Sequence, residues 1–378
     1  MKDKKIVLAF IDWYRPGYKA GGTVTSFGNF VDYLESFFDF KIVTRDTDFL
    51  ETKVYPKIHS DAWNKMNDSQ CYYFSKSNLS YSTIKKIILN SDYDFIYVNG
   101  LFSYYFSILP VFFSKKENCI LNPHGMLSDQ AFSVKSFKKK IFLKLANTFK
   151  IYKHVVFHVS NEDEAIAVRK RIQVFKSIEI ANQFPRKLKY IAQVKEKKQN
   201  PVRFINVARI SIEKGTLVML KALNFIIEPL ELDLYGPIYD EAYWLKCQEV
   251  ISGLPKHIKV TYKGFINNEA IPMTLTKYDF FVLLSEGENF GHAIIEALSV
   301  GLPVLISNKT PWKDLKSKCI GWDMDITNES NIIINFNEAI KMPNEVYEKW
   351  SSTATKFVID FTLNTEVIEQ NKALFLNT

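Results

Sequence analysis

This sequence predicts an α/β protein of two successive domains, each a parallel sheet wrapped by helices. Three observations carry that prediction. Short apolar runs alternate with helical patterns along the chain, and repeated strand–helix alternation is the signature of parallel sheets covered on both faces. The alternation restarts near residue 201. The length, 378 residues, exceeds one ordinary core and suits two.

The elements follow in order. Lys5–Ile11, Lys41–Thr44, Phe95–Val98, Cys119–Asn122 and His154–Val159 read as strands of a first sheet. Phe204–Val207, Glu231–Tyr235, Lys259–Tyr262, Phe280–Leu284 and Pro303–Ser307 read as strands of a second. Helical stretches fall between them at Thr23–Glu35, Phe137–Asn147, Thr216–Asn224 and Ala293–Leu298. The longest apolar run, Leu101–Phe113, is too short to span a bilayer and contains Pro110, so it reads as a buried helix. Pro185–Pro201 is basic, polar and bounded by prolines, the composition of a linker. The expected division is therefore residues 1–185, a linker at 186–200, and residues 201–361. The tail from Phe357 to Leu376 reads as a helix, a short break and a second helix.

Composition narrows the function. Hydrophobic residues at 47% and charged residues at 24% belong to a globular protein. A formal net charge of +8 favours an anionic partner: nucleic acid, nucleotide or membrane surface. Cys71, Cys119, Cys247 and Cys319 are scattered and form no CxxC pair, which predicts a reduced, cytoplasmic protein and no disulfide framework or zinc site. The N-terminal apolar run is interrupted by Asp12 and Arg15, so it reads as a first strand and not a signal peptide. There is no GxGxxG fingerprint, Walker P-loop or HExxH.

The chemistry concentrates in SEGENFGHAIIEALSVGLPV, residues 285–304. Glu288 and Glu296 bracket seven residues, and a helix starting near Phe290 puts Glu288 in the preceding loop and Glu296 in the second turn. The first amides of such a helix face the loop and favour an anion there. A carboxylate one turn further in accepts a pair of hydroxyls. A site for a phosphate and a polyol together is what a nucleotide sugar needs.

This segment resembles the Glu-x7-Glu signature of the retaining glycosyltransferases of family four, which have the GT-B fold. The resemblance implies two Rossmann-like domains facing a central cleft, with the C-terminal helix, about residues 362–378, crossing back to the first domain. It implies that Glu288 contacts hydroxyls of the donor sugar. Asn289, Phe290 and Gly291 would offer the loop that meets the diphosphate, and Glu296 would hold the ribose. VARISIEKG places Arg209 and Lys214 just after a predicted strand, where open α/β sheets bind ligands. The pair resembles the family's Arg-x4-Lys, which neutralises the leaving diphosphate. Gly21-Gly22 resembles the loop after the first strand, near the diphosphate and acceptor. His124, in NPHGM, resembles a first-domain histidine that lines the sugar pocket. Gly236, in Tyr235-Gly236-Pro237, and Phe265, in Tyr262-Lys263-Gly264-Phe265, lie in strand-end turns that either flank the nucleotide or are plain turns. Where relatives often carry Pro-Asn-Gly, this chain reads Ala181-Asn182-Gln183-Phe184-Pro185.

No cofactor is expected. Asp-x-Asp, the metal pair of the other large glycosyltransferase fold, occurs as Asp46/Asp48, Asp92/Asp94 and Asp323/Asp325, none of them beside the Glu288 cluster. The expected partners are a nucleoside-diphosphate sugar and a growing glycan, as in bacterial enzymes that build O-antigen or capsule. The basic stretch Lys135–Lys153 interleaves Lys138, Lys139, Lys140, Lys144 and Lys150 with Phe137, Ile141, Phe142 and Leu145. It reads either as a solvated helix face or as an attraction to anionic headgroups or a polyprenyl-pyrophosphate-linked acceptor at the inner face of the cytoplasmic membrane. Two other readings stay open: a nucleotide-sugar 2-epimerase of the same fold, and a basic nucleic-acid-binding protein, for which no binding motif is present.

Overall fold

The computed structural model of the chain describes residues 4–66, 69–114, 118–133, 136–187, 196–197 and 200–376. Most of the linker expected over 186–200 lies outside them. The backbone divides into two compact units, Met1–Lys187 with Asn364–Thr378, and Leu188–Leu363.

The first unit is built on eight strands: β1 (Lys5–Phe10), β2 (Phe38–Arg45), β3 (Trp63–Met66), β4 (Ser69–Phe74), β5 (Phe95–Asn99), β6 (Cys119–Asn122), β7 (Val155–Val159) and β8 (Ser177–Ile180). Their order is β3-β4-β2-β1-β5-β6-β7-β8. All pairs are parallel except β3 with β4. The central strands are apolar because helices bury both faces: β5 and β7 are buried at every residue. β3, β4 and β8 escaped sequence reading. β3 and β8 have exposed residues and little apolar run, and β4 opens on the polar Ser69 and Gln70.

The second unit has six parallel strands: β9 (Val202–Val207), β10 (Leu230–Tyr235), β11 (Ile258–Gly264), β12 (Phe280–Leu283), β13 (Val304–Ser307) and β14 (Gly321–Met324). Their order is β11-β10-β9-β12-β13-β14. The chain steps outward from β9 to β11, then returns to the other side of β9 with β12. Strand order therefore reverses between β9 and β12, and the crevice outside the carboxyl ends of such a pair is where open sheets bind ligands.

Two expectations need correction. Leu101–Phe113 is not one buried helix. A π-helical turn, Tyr104–Ile108, runs into a short α-helix, Leu109–Phe113, and Tyr104 and Phe112 are exposed. The helix after Glu288 starts at His292, two residues later than expected, because Gly291 adopts the left-handed conformation (φ 80°) and caps it.

The tail forms two helices, Asn344–Thr362 and Thr365–Ala373, and the second belongs to the first unit. Just beyond it, Phe375 is fully buried, with its ring 4.8 Å from Phe38 and 5.4 Å from Phe95. The Asn371 amide donates to the Asn182 carbonyl at 2.9 Å. The last residues thus complete one face of the first core. Phe375→Ala removes a buried aromatic from that face, and we expect it to destabilise the first unit by about 3–5 kcal/mol. A shift of the first unit's transition to lower urea, with the second unit's transition unmoved, is the measurement that checks it.

Candidate functional site

The second unit's site is assembled from the ends of β9 and β12. After β9 the chain runs through Arg209 to a single 3-10 turn, Ile212–Lys214, and then Gly215 in the left-handed conformation (φ 68°). A Cβ on Gly215 would lie 1.8 Å from the Leu284 carbonyl oxygen, so only glycine lets this turn approach the end of β12. The Glu286 amide donates to the Glu213 carbonyl at 2.9 Å and joins the two loops. Close approach then brings Lys214 Nζ to 2.6 Å from Glu288 Oε1. Both side chains are largely removed from water, at 17% and 12% exposure, so this pair is not a solvated surface bridge.

Arg209 lies beside it on its own partners. Its guanidinium is 3.3 Å from Glu213 and 4.9 Å from the centre of the Tyr239 ring. Gly236 (φ 137°) lets the end of β10 meet this loop: a Cβ there would lie 2.0 Å from the Ala208 carbonyl oxygen. Tyr262 donates its hydroxyl to the Gly236 carbonyl at 2.8 Å, and the Gly236 amide bonds the Gly264 carbonyl. Phe265, the next residue, is exposed. Phe290 is buried, Asn289 is half-buried, and Glu296 is buried in the second turn of the helix His292–Ser299. The fold thus brings Arg209, Lys214, Gly236, Glu288, Asn289, Phe290 and Gly291 to the carboxyl edge of one sheet.

The first unit holds Gly21, Gly22 and His124. Its strand order reverses between β1 and β5, and the three residues follow the carboxyl ends of β1 and β6. A Cβ on Gly21 or Gly22 would meet nothing within 4 Å, so these glycines leave open space before the helix Gly22–Leu34. Asp48 anchors the loop by accepting the amides of Tyr18 (2.9 Å) and Lys19 (3.2 Å). Arg15 grips Asp32 through two hydrogen bonds of 2.6 and 2.7 Å. His124 sits at positive φ (49°), with its amide donating to Asn122 and Nε2 2.9 Å from Asn99 Oδ1. Glu164, buried, takes the amides of Gly125 and Ser160. Beneath lies His158, whose pKa burial pushes down to about 4. Its Nδ1 pairs with the Tyr97 hydroxyl at 2.6 Å and Nε2 with the Ala181 carbonyl. The enclosed space bordered by His124, Asn99, Asn122 and His158 is about 10 Å³, room for one water and not a sugar.

Sequence reading missed the supports: Glu213, Asp48, Asn99 and Glu164. Only Glu164 carried a signal, since Asn161-Glu162-Asp163-Glu164 has the spacing of a capping box. Asp48 accepts backbone amides, and Asp323 accepts the amides of Asp314 and Leu315.

Two doubly wound units in one chain are the architecture of the GT-B fold of glycosyltransferases, and the chain is similar in fold to solved members of that class. Residues 189–357, most of the second unit, match the family described as Glycosyl transferases group 1. An uncharacterized 41.2 kDa protein in the cps region of Klebsiella pneumoniae is similar at 22% identity over 280 residues, 70% of this chain and 69% of that one. The crystal structure of Anabaena Alr3699/HepE in complex with UDP and glucose has a TM-score of 0.69 at 14% identity, covering 98% of each chain. WaaG, a glycosyltransferase involved in lipopolysaccharide biosynthesis, has a TM-score of 0.64 at 11% identity, covering 98% of this chain and 99% of that one.

Pairing with Lys214 makes a prediction about stability. Removing Lys214 alone strands the Glu288 carboxylate in a poorly hydrated loop, whereas removing both charges does not. We expect Lys214→Met to destabilise the second unit by about 2 kcal/mol more than Lys214→Met/Glu288→Gln does. A double-mutant cycle from thermal or urea unfolding reads the coupling, and additive effects would show that the two side chains do not depend on each other.

Proposed function

We propose that the chain is a retaining glycosyltransferase that moves a sugar from a nucleoside-diphosphate donor to a growing glycan of a bacterial surface polysaccharide. The observation that carries this reading is the Lys214–Glu288 pair where strand order reverses, with Arg209 on the same turn. A lysine and an arginine held by the loop ends supply preorganised positive charge for a departing diphosphate. Glu288, fixed by Lys214, is a carboxylate acceptor for sugar hydroxyls, and Glu296 is one for the ribose. HepE, similar in fold, was crystallised with UDP and glucose. The relative from a cps region supports the polysaccharide assignment.

In this mechanism the bond between the sugar's anomeric carbon and the β-phosphate oxygen breaks, and its electron pair leaves with the diphosphate. The acceptor hydroxyl adds on the same face. Its proton passes to the leaving phosphate oxygen, so no protein base is assigned, and the anomeric configuration is kept. Fixed cations take the place of a divalent metal. A ligand at about a hundred times its Kd stabilises a folded protein by about 2.7 kcal/mol. A thermal-shift screen of UDP-, GDP- and ADP-sugars is therefore expected to raise the melting temperature with one donor class, equally in EDTA and in magnesium. Arg209→Ala/Lys214→Ala should abolish the shift. A shift that requires magnesium would overturn the metal-free assignment, and the absence of any shift would overturn the donor.

The acceptor reading rests on the helix Ser136–Thr148. Leu143 and Ala146 are buried, while Phe137, Ile141, Leu145 and, one turn beyond, Phe149 are exposed. At about 100° per residue the exposed set forms a stripe facing away from the buried pair, flanked by Lys138 on one side and Lys140 and Lys144 on the other. An apolar stripe rimmed by lysines fits an anionic lipid surface and a lipid-linked acceptor. Lys139 belongs to a different set: it is half-buried, bonds the Ala131 carbonyl and lies 5.5 Å from the Phe102 ring. Of the lysines in the basic stretch, Lys138, Lys140 and Lys144 rim the exposed stripe and Lys139 does not. Changing these three to Gln, or Phe137 and Ile141 to Ser, should weaken binding to phosphatidylglycerol vesicles about tenfold or more while leaving the donor thermal shift intact. Wild-type protein that stays in the supernatant with such vesicles at low salt would sink the membrane reading.

A further inference from the structure

We propose that Trp312 is a positioning residue for the phosphate-binding turn at Phe290–Gly291, an inference that rests on the donor site argued above. Trp312 reaches this turn from the loop after β13. Its indole Nε1–H donates to the Phe290 carbonyl at 2.5 Å. The ring is buried and wedged among aromatics, 5.3 Å from Phe290, 5.4 Å from Phe361 and 6.1 Å from Phe357. Phe290 itself lies 6.1 Å from Phe361, so the helix Asn344–Thr362 backs both rings.

The consequence follows from peptide geometry. In a planar trans peptide the carbonyl oxygen and the next residue's N–H point in opposite directions. Holding the Phe290 oxygen toward Trp312 therefore turns the Gly291 amide away from the aromatic cluster. Gly291, at φ 80°, is the N-cap of the helix His292–Ser299, and its amide lies before the helix's own hydrogen-bonded ladder. The turn packs between the two side chains: a Cβ on Gly291 would lie 2.8 Å from Ile294 Cδ1 and in ordinary contact, 3.5 Å, with Trp312 Nε1. One indole hydrogen bond thus sets which way the Gly291 amide faces, three residues after Glu288. A phenylalanine in place of Trp312 would keep much of the packing and lose that control.

The test separates the hydrogen bond from the packing. Trp312 is replaced by β-(3-benzothienyl)alanine, which keeps the two-ring shape and has sulfur where the N–H was, and in a second variant by Phe. Affinities for UDP, GDP and ADP, and for uridine, guanosine and adenosine, are measured by titration calorimetry. We expect both variants to bind the diphosphate that wild type prefers about five- to tenfold more weakly. The matching nucleoside should bind as before, because only the phosphates use the reoriented amide. An unchanged ratio of diphosphate to nucleoside affinity overturns the proposal. Equal losses for both ligands, or failure of both variants to fold, overturn it in favour of a packing role. A wild type that binds none of the three diphosphates overturns it together with the donor reading, whereas an unaltered variant beside a binding wild type overturns this proposal alone.

Discussion

Lys214 and Glu288 leave the ends of neighbouring strands, and neither charge is stable out of water without the other. Their meeting dictates much of the surrounding backbone. The β9 and β12 loops must come close enough for a 2.6 Å contact, which demands Gly215 against the Leu284 carbonyl and the amide bridge from Glu286 to Glu213. Gly236 does the same for the next strand, against Ala208. Backbone contact at these positions leaves no room for a side chain, so the site's precision comes from main chain and the charged groups are held on top of it.

The first unit reaches a comparable precision differently. Its loops are tied by buried polar side chains that accept or donate to backbone: Asp48 under Tyr18 and Lys19, Glu164 under Gly125 and Ser160, Asn99 and Asn122 around His124. Such groups are costly when unpaired, so each specifies one loop conformation. Burial pushes the pKa of His158 down to about 4, so it stays neutral beside Tyr97 and Asn122 at ordinary pH.

What was legible in the sequence is what local chemistry determines. The long buried strands were visible as apolar runs, and Glu288, Glu296, Arg209 and Lys214 stood out by spacing and by their place after strands. β3, β8 and β14 were not visible, because edge strands of four residues carry no periodic signal. The start of the helix after Glu288 was misjudged because Gly291 takes a left-handed turn that spacing does not encode. Lys139 was grouped with its neighbours because a run of lysines conceals which way each one points on the helix. Trp312 and Asp48 were missed for a common reason: their partners, Phe290 and Tyr18, are backbone groups brought near only by the fold.

Phe375 and Asn371 belong to the first unit's core although more than 175 residues of the second unit separate them from its other strands. A ribosome makes them only after the whole of the second unit. The second unit, contiguous in sequence, has all of its strands and helices before the tail emerges, whereas the first unit waits with one face of its core incomplete until Phe375 arrives. The order of synthesis and the order of completion are therefore reversed, and the domain made first is the one finished last.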